Sequence, residues 1–100
     1  PQVLRFNVSA AATHYGELAP IILGERLRTG DPSTYAEQLI AEFEQMSARV
    51  GLPTRLRDAG VPEDMLPQLA KEAMLQQRLL VNNPREVSEA DALAIYQAAF

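Results

Sequence analysis

The sequence predicts an all-α fold, a compact bundle of about five helices joined by irregular connectors. Apolar residues recur at helical spacing along most of the chain, and no segment shows the alternation typical of a β-strand. Proline, glycine, aspartate and serine residues stand where such helices would begin and end. The 100 residues, 47% of them hydrophobic and 22% charged, can bury a modest core, so we expect one domain over residues 1–100.

The N-terminal segment is interpreted as the end of one helix followed by a second helix. Val3, Leu4 and Phe6 resemble the end of an amphipathic helix whose start is missing, which suggests that the sequence begins inside a larger protein. Ser9 is a candidate N-cap for the second helix, which we expect over about residues 10–18 or somewhat further.

Pro20 lies within the apolar pattern of this second helix. Proline removes the hydrogen bond to the carbonyl group four residues earlier, so we expect a kink or an end near Pro20. The apolar residues Ile21, Ile22 and Leu23 are still expected to be buried. Residues 24–30 are predicted to form an exposed, charged loop.

The third helix is the clearest amphipathic segment of the sequence. Asp31 is its predicted N-cap and Pro32 its first residue, with Ser33 as a competing cap. Its apolar stripe, which we predict to lie in the core, consists of Tyr35, Ala36, Leu39, Ile40, Phe43, Met46 and Val50. The opposite face is expected to meet solvent and carries Glu37, Gln38, Glu42, Glu44, Gln45 and Arg49.

A connector of turn-forming residues, Gly51–Val61, separates the two halves of the sequence. Gly51 is predicted to end the third helix in the left-handed conformation, and Pro53 prevents the helix from continuing. Leu52 and Leu56 are predicted to anchor the connector in the core. The simplest interpretation of the segment is an ordered helix–helix linker.

Pro62 opens the next predicted helix after a break at Gly60. Its predicted buried face consists of Leu66, Leu69, Ala70, Ala73 and Met74. The helical pattern fades at residues 76–78, and residues 79–85 are predicted to form a loop with an apolar beginning. The last helix is predicted to begin at residues 87–88, with Asp91 at the capping-box position. One face of this helix carries Leu93, Tyr96 and Phe100.

Composition excludes several classes of function. The net charge of −4 argues against nucleic acid as a partner, and no apolar run approaches the roughly 20 residues of a membrane span. The chain has no cysteine, so disulfides and thiolate chemistry are excluded. A reducing compartment is compatible with this composition, and we expect a cytoplasmic location. No glycine-rich nucleotide motif is present.

The sequence therefore predicts no catalytic, cofactor-binding or metal-ligating residue within the chain. His14 is the only histidine and is expected at the surface. Arg55, Arg57 and Arg85 are suited to binding phosphate or carboxylate, but such arginines more often pair with nearby acids or with helix C-terminal carbonyl groups.

Three ordered blocks carry a resemblance to a known family. These sequence blocks resemble the C-terminal helical region of iron-containing (group III) alcohol dehydrogenases. In chain order they are GLPTRLRDAGV, PEDMLPQLAKEA and NNPREVSEADALAIYQAAF. The opening PQVLRFN resembles the segment just after the last metal-ligand histidine of that family. The resemblance covers the whole chain. It implies the helical domain of a two-domain enzyme similar to dehydroquinate synthase-like proteins, and includes maleylacetate reductases as relatives.

This resemblance implies more than the chain contains. The partner would be an N-terminal α/β domain that binds NAD(P), with Fe²⁺ or Zn²⁺ in the cleft between the two domains. The metal ligands would precede residue 1, so the chain alone is expected to be inactive. The segment that would line the substrate cleft contains Leu79, Leu80 and Asn83. Self-association through the apolar N-terminal segment is also expected.

A second hypothesis from a different class is a free-standing helical module that binds a partner protein. The helix without a start at residue 1 argues against it. So do the apolar segments at residues 21–23 and 79–81, which resemble surfaces that face more of the same polypeptide. The mass of the native gene product distinguishes the two hypotheses.

Overall fold

The structure is a computed structural model that describes residues 1–100, and all of its regular secondary structure is helical. The α-helices are α1 (Gln2–Leu23), α2 (Pro32–Arg49), α3 (Leu66–Ala73), α4 (Gln77–Leu80) and α5 (Glu89–Ala98). Single turns of 3₁₀ helix occur at Gly24–Arg26, Arg57–Ala59 and Glu63–Met65. The prediction of an all-α fold with about five helices is confirmed. No helix combines the length and hydrophobicity that crossing a membrane requires.

The chain separates into two compact units, Val3–Leu52 and Pro53–Phe100. In the first unit, α1 is one continuous helix, so the prediction of two helices divided at Ser9 is wrong. Ser9 lies in the interior of α1, and Val3, Leu4 and Phe6 belong to its first two turns. Ser9 is followed by three alanines, which have the highest helix propensity and favour continuation over a break.

Pro20 does not end α1, which continues for three residues to Leu23. Gly24, with φ of 54°, ends the helix and donates its backbone N–H to the carbonyl oxygen of Pro20. Leu23 is buried as predicted, but Ile21 is 77% exposed and Ile22 39% exposed. Consecutive helical residues are about 100° apart around the axis, so three in a row do not share one buried face.

Both predicted ends of α2 are confirmed. The side chain of Asp31, the N-cap, accepts a 2.7 Å hydrogen bond from the backbone N–H of Thr34, and Pro32 is the first helical residue. At the other end Gly51 adopts a left-handed φ of 74°. The Gly51 N–H donates to the Ala48 carbonyl oxygen, and the Leu52 N–H donates to the Ser47 carbonyl oxygen. These two hydrogen bonds form a Schellman motif.

The core of the first unit forms around Ala19 and Leu23 of α1 and Leu39 of α2. Four half-buried residues pack against this cluster: Tyr15, Leu27, Tyr35 and Phe43. The predicted α2 stripe is thus confirmed over its first half, where Ala36 and Ile40 are also buried. It is wrong for its C-terminal end.

Met46 is 40% exposed and Val50 65% exposed, since they lie beyond the turns of α2 that contact the core cluster. The opposite face of α2, which was predicted to meet solvent, is only partly exposed. Glu42, predicted to face solvent, is 6% exposed, and Gln38 and Glu44 are half-buried.

In the second unit α3 packs against α5. Leu66 and Ala70 of α3 and Ala92 of α5 are the buried residues of this pair. The predicted capping box of α5 is confirmed. The Asp91 N–H donates to Ser88 Oγ at 3.1 Å, and the Ser88 N–H donates to Asp91 Oδ2 at 3.0 Å.

The connector is ordered and is held to the C-terminal end of α5. The Leu56 N–H donates to the Ala99 carbonyl oxygen at 2.9 Å. Arg57 Nε donates to the backbone oxygen of Phe100, and its guanidinium lies 4.7 Å from the centre of the Phe100 ring. Of the two leucines predicted to anchor the connector in the core, Leu56 is half-buried and Leu52 is 60% exposed. The prediction is therefore wrong for Leu52.

Candidate functional site

Residues 79–85, which include the segment predicted to line a cleft, were predicted to form a loop. The first two of them, Leu79 and Leu80, instead belong to α4. Helix α4 starts after Gln76, and the Gln77 side chain donates a 2.8 Å hydrogen bond to the Met74 carbonyl oxygen. This bond helps to hold α4 against the end of α3. The sequence underestimates the helix because Gln76, Gln77 and Arg78 interrupt the apolar pattern while leaving the helix propensity high.

The structure places Leu79, Leu80 and Asn83 within this one helical turn and the turn that follows it. Leu79 is 62% exposed, while Leu80 and Asn83 are half-buried. The Asn83 side-chain amide donates to the Arg85 carbonyl oxygen at 2.6 Å, and the Asn82 amide donates to Arg78 at 2.8 Å. Both amides therefore stabilise the turn.

Around α4, three large aliphatic side chains are exposed beside the polar residues Gln76, Gln77, Arg78 and Asn82. The exposed aliphatic residues are Leu75 at 74%, Leu79 at 62% and Val81 at 79%. Aliphatic side chains neither transfer protons nor act as nucleophiles, so this surface can contribute only shape and water exclusion to a binding site. We call Leu75, Leu79 and Val81 the α4 surface.

No part of the chain fits a bound metal ion. His14 is exposed on α1, and no three His, Asp or Glu side chains come together as metal ligands. A protein iron or zinc site needs several converging nitrogen or oxygen ligands. The residues of this chain therefore do not supply one.

The structure also contains a buried carboxylate, Glu42, which the sequence analysis predicted to face solvent. Oε1 of Glu42 lies 2.8 Å from Nη1 of Arg26 and 2.6 Å from Nη2 of Arg49. The hydrogen bonds from Arg26 and Arg49 hold the pKa of Glu42 below its ordinary value of 4.5. We call these three residues the Glu42 cluster.

A signal for this cluster was present in the sequence. Glu42 lies three residues after Leu39, at the border of the apolar stripe, and Arg49 follows two helical turns later on the same side. Arg26 comes from the 3₁₀ turn, and no helical spacing connects it to α2. A separate ion pair, between Arg5 of α1 and Glu44 of α2, has N–O distances of 2.5 and 2.9 Å and joins these two helices.

A pocket of about 420 Å³ lies beside the Glu42 cluster, between the Gly24–Arg26 turn and α2. Its polar walls are formed by Arg26, Arg28, Glu37, Gln38, Glu42 and Gln45. The side-chain amide of Gln38 bonds both backbone groups of Arg28: it accepts from the N–H and donates to the carbonyl oxygen, each at 2.8 Å. These bonds fix the backbone of the loop against α2.

Comparison with known proteins gives the chain's family. The model of the Fe-containing alcohol dehydrogenase family, C-terminal, matches residues 1–100. This chain belongs to the Fe-containing alcohol dehydrogenase family. The resemblance of the three sequence blocks is thereby confirmed at the level of the family, and the all-α architecture agrees with its C-terminal domain.

Curated members of the family are similar to this chain over part of their length. Long-chain-alcohol dehydrogenase 1 of Geobacillus thermodenitrificans is 46% identical over 61 residues, which are 61% of this chain and 15% of that protein. 1,3-Propanediol dehydrogenase of Klebsiella pneumoniae is 33% identical over the whole chain and 25% of its own length. Lactaldehyde reductase of Escherichia coli K12 is 27% identical over the whole chain and 26% of its own length.

The chain thus spans about a quarter, or less, of the length of these relatives. No solved structure matches the chain significantly. The family and the fold rest on the family model and on the helices described above.

Proposed function

We propose that this chain is the C-terminal helical portion of an iron-type, NAD(P)-dependent alcohol dehydrogenase. Such an enzyme oxidises an alcohol, or reduces an aldehyde or keto group, by hydride transfer. The observation that carries the proposal is the family match over residues 1–100, together with relatives about four times as long. The relatives named above act on alcohols, a diol and an aldehyde, which favours a substrate of that class over maleylacetate.

The remainder of the proposed enzyme supplies the chemistry that this chain lacks. An N-terminal α/β domain binds NAD(P), and Fe²⁺ or Zn²⁺ is held by residues outside this sequence. We propose that the isolated chain is inactive, because its single histidine and its separated carboxylates form no metal site. A bound metal would act as Lewis acid on the substrate oxygen.

Within this enzyme the contribution of the chain is to shape the substrate cleft. We assign that role to Leu79, Leu80 and Asn83. The exposed side chain of Leu79 would contact substrate or cofactor, and the half-buried Leu80 would support it. Asn83 fixes the turn through its bond to Arg85. An aliphatic wall here would favour apolar substrate chains over polar ones.

The first test is the mass of the native gene product. A product of about 44 kDa, four times the 11.0 kDa of this chain, supports the proposal, since the chain covers 25% of a related dehydrogenase. A native product of 11 kDa that forms a complex with an unrelated protein would instead support the free-standing module.

The second test is kinetic and uses the enzyme that contains these residues. Leu79→Ala should raise KM for long alkyl alcohols about tenfold while changing KM for short ones less, because one lost aliphatic contact is worth roughly 1–3 kcal/mol. Leu52→Ala removes an equally exposed leucine from the connector and serves as the control. Equal KM values for Leu79→Ala and Leu52→Ala across the alcohols would contradict the cleft assignment.

A further inference from the structure

The pocket beside the Glu42 cluster is formed by residues of the first unit, whereas the α4 surface belongs to the second. The proposed dehydrogenase function does not use this pocket. Its volume of about 420 Å³ falls within the ordinary range for small-molecule sites, roughly 300–1,000 Å³. Six of its eight lining residues are polar or charged, and the other two, Leu23 and Ala41, are apolar. The question is which ligand chemistry those walls complement.

Charge is the first guide. Three guanidiniums, those of Arg26, Arg28 and Arg49, surround the pocket and the carboxylate beneath it. Only two carboxylates, Glu37 and Glu42, oppose them. The residues that line the pocket are therefore balanced in charge, and the guanidinium of Arg49, bonded to Glu42 from outside the lining, leaves one positive charge in excess. A local excess of this sign favours an anion.

The available hydrogen-bond donors are the second guide. A guanidinium has five N–H donors. Arg26 uses one guanidinium nitrogen on Glu42 and the other, at 3.4 Å, on the carbonyl oxygen of Ile22, which leaves further donors at the pocket. The Arg28 side chain forms no ion pair or hydrogen bond within the chain.

Preorganisation is the third guide. The two bonds from Gln38 fix the backbone of Arg28 against α2 without using its side chain. The Glu42 cluster fixes Arg26 in a similar way, through a carboxylate that is itself 7% exposed. The Arg26 side chain and the Arg28 backbone are thus held at the same pocket before any ligand arrives, while the exposed Arg28 side chain becomes ordered on binding.

We propose that this pocket binds the phosphate group of a small molecule, with Arg26 and Arg28 as its ligands. Arginine is suited to this role because its planar fork matches two phosphate oxygens at once. Glu37 opposes the anion and limits its affinity, while the amides of Gln38 and Gln45 line the part of the pocket that an organic group would occupy.

The test uses inorganic phosphate as probe and the melting temperature of the protein as readout, with sodium chloride of matched ionic strength as reference. Phosphate at about ten times its Kd should raise Tm by roughly 5–10 °C above the chloride reference. Arg28→Gln should abolish this increment without lowering Tm in chloride, since the loop is fixed by backbone bonds. Glu37→Gln should enlarge the increment, because it removes the opposing charge.

Arg55→Gln is the matched control, since Arg55 is an exposed arginine of the other unit. It should keep the full phosphate increment. The proposal is overturned if phosphate stabilises the protein no more than chloride does, or if Arg28→Gln retains the increment. A failed dehydrogenase assay would leave this result unaffected, because Tm in phosphate does not depend on activity.

Discussion

At the scale of single residues, Glu42 is a buried carboxylate whose pairing bears on the stability of the first unit. A carboxylate removed from water is costly unless it is paired. Here the same oxygen accepts hydrogen bonds from Arg26, in the 3₁₀ turn, and Arg49, near the end of α2. The cluster therefore fixes the turn against the helix while keeping a buried charge neutralised.

The lowered pKa of Glu42 predicts how stability depends on pH. The ionised form is favoured in the folded state, so its contribution is complete above the ordinary value of 4.5 and is lost as pH falls below it. Glu42→Gln should lower Tm at neutral pH and should also flatten the decline of Tm in acid. Differential scanning calorimetry between neutral pH and about pH 3 measures both effects.

Glu37→Gln is the control for this experiment, since Glu37 is exposed on the same helix and forms no ion pair. It should keep the acid dependence of the unmodified protein. An acid transition in Glu42→Gln as steep as in the unmodified protein would mean that other carboxylates control it. Glu44, Asp31 and Asp91, whose pKa values are also lowered, are the candidates.

Phe43 packs against the Ala19, Leu23 and Leu39 cluster but is only half-buried. Full burial would make Phe43→Ala cost about 3–5 kcal/mol, so we expect about half of that, on the order of 2 kcal/mol, from urea unfolding. Gln45→Ala, an exposed position two residues later, should change the free energy of unfolding by less than about 0.5 kcal/mol. Equal midpoints for the two variants would contradict this packing.

At the scale of elements, the ends of the helices are set by local chemistry. Asp31 caps α2, Ser88 and Asp91 cap α5, and Gly51 ends α2 in the left-handed conformation. Each device satisfies backbone groups that a helix end leaves without partners. Pro20 shows the opposite case: a single lost hydrogen bond did not end a 22-residue helix.

Gly51 offers a test of one such device. Its φ of 74° is strained for residues with a Cβ atom, so Gly51→Ala should destabilise the protein by about 1 kcal/mol. Gly51→Asn should cost less, because asparagine tolerates the left-handed region better. No atom lies within 4 Å of a Cβ added at Gly51, so any loss measured by chemical denaturation reflects conformation and not a clash. A larger loss for Asn than for Ala would contradict this explanation.

At the scale of the whole molecule, the chain exposes eleven large hydrophobic side chains. On α1, Val3 is 51% exposed, Leu18 49% and Ile21 77%, and the second unit exposes the α4 surface. Contiguous apolar surface on a soluble protein typically marks a contact site. The proposed position in a longer dehydrogenase accounts for such surface, since other parts of the enzyme would cover it.

We therefore predict that the isolated chain self-associates through α1. The sequence suggested Val3, Leu4 and Phe6 for this contact, but Leu4 and Phe6 are half-buried, so Val3 and Ile21 are the better candidates. Val3→Ser with Ile21→Ser should shift the weight-average mass from sedimentation equilibrium towards 11.0 kDa, the mass of one chain. A chain that is strictly monomeric at millimolar concentration before any substitution would contradict the prediction.

The sequence by itself determined the helical class, the caps at Asp31 and Ser88, the turn at Gly51 and the family. These features depend on local periodicity, on side chains that bond nearby backbone groups, and on sequence similarity to the family. Tertiary structure alone decided which parts of each apolar stripe are buried. Met46, Val50 and Leu52 have the same local pattern as buried residues, and they are exposed because nothing in the chain packs over them. It also brought Arg26 to Glu42 and Arg57 to Phe100, since contacts between distant residues have no periodic signal in the sequence.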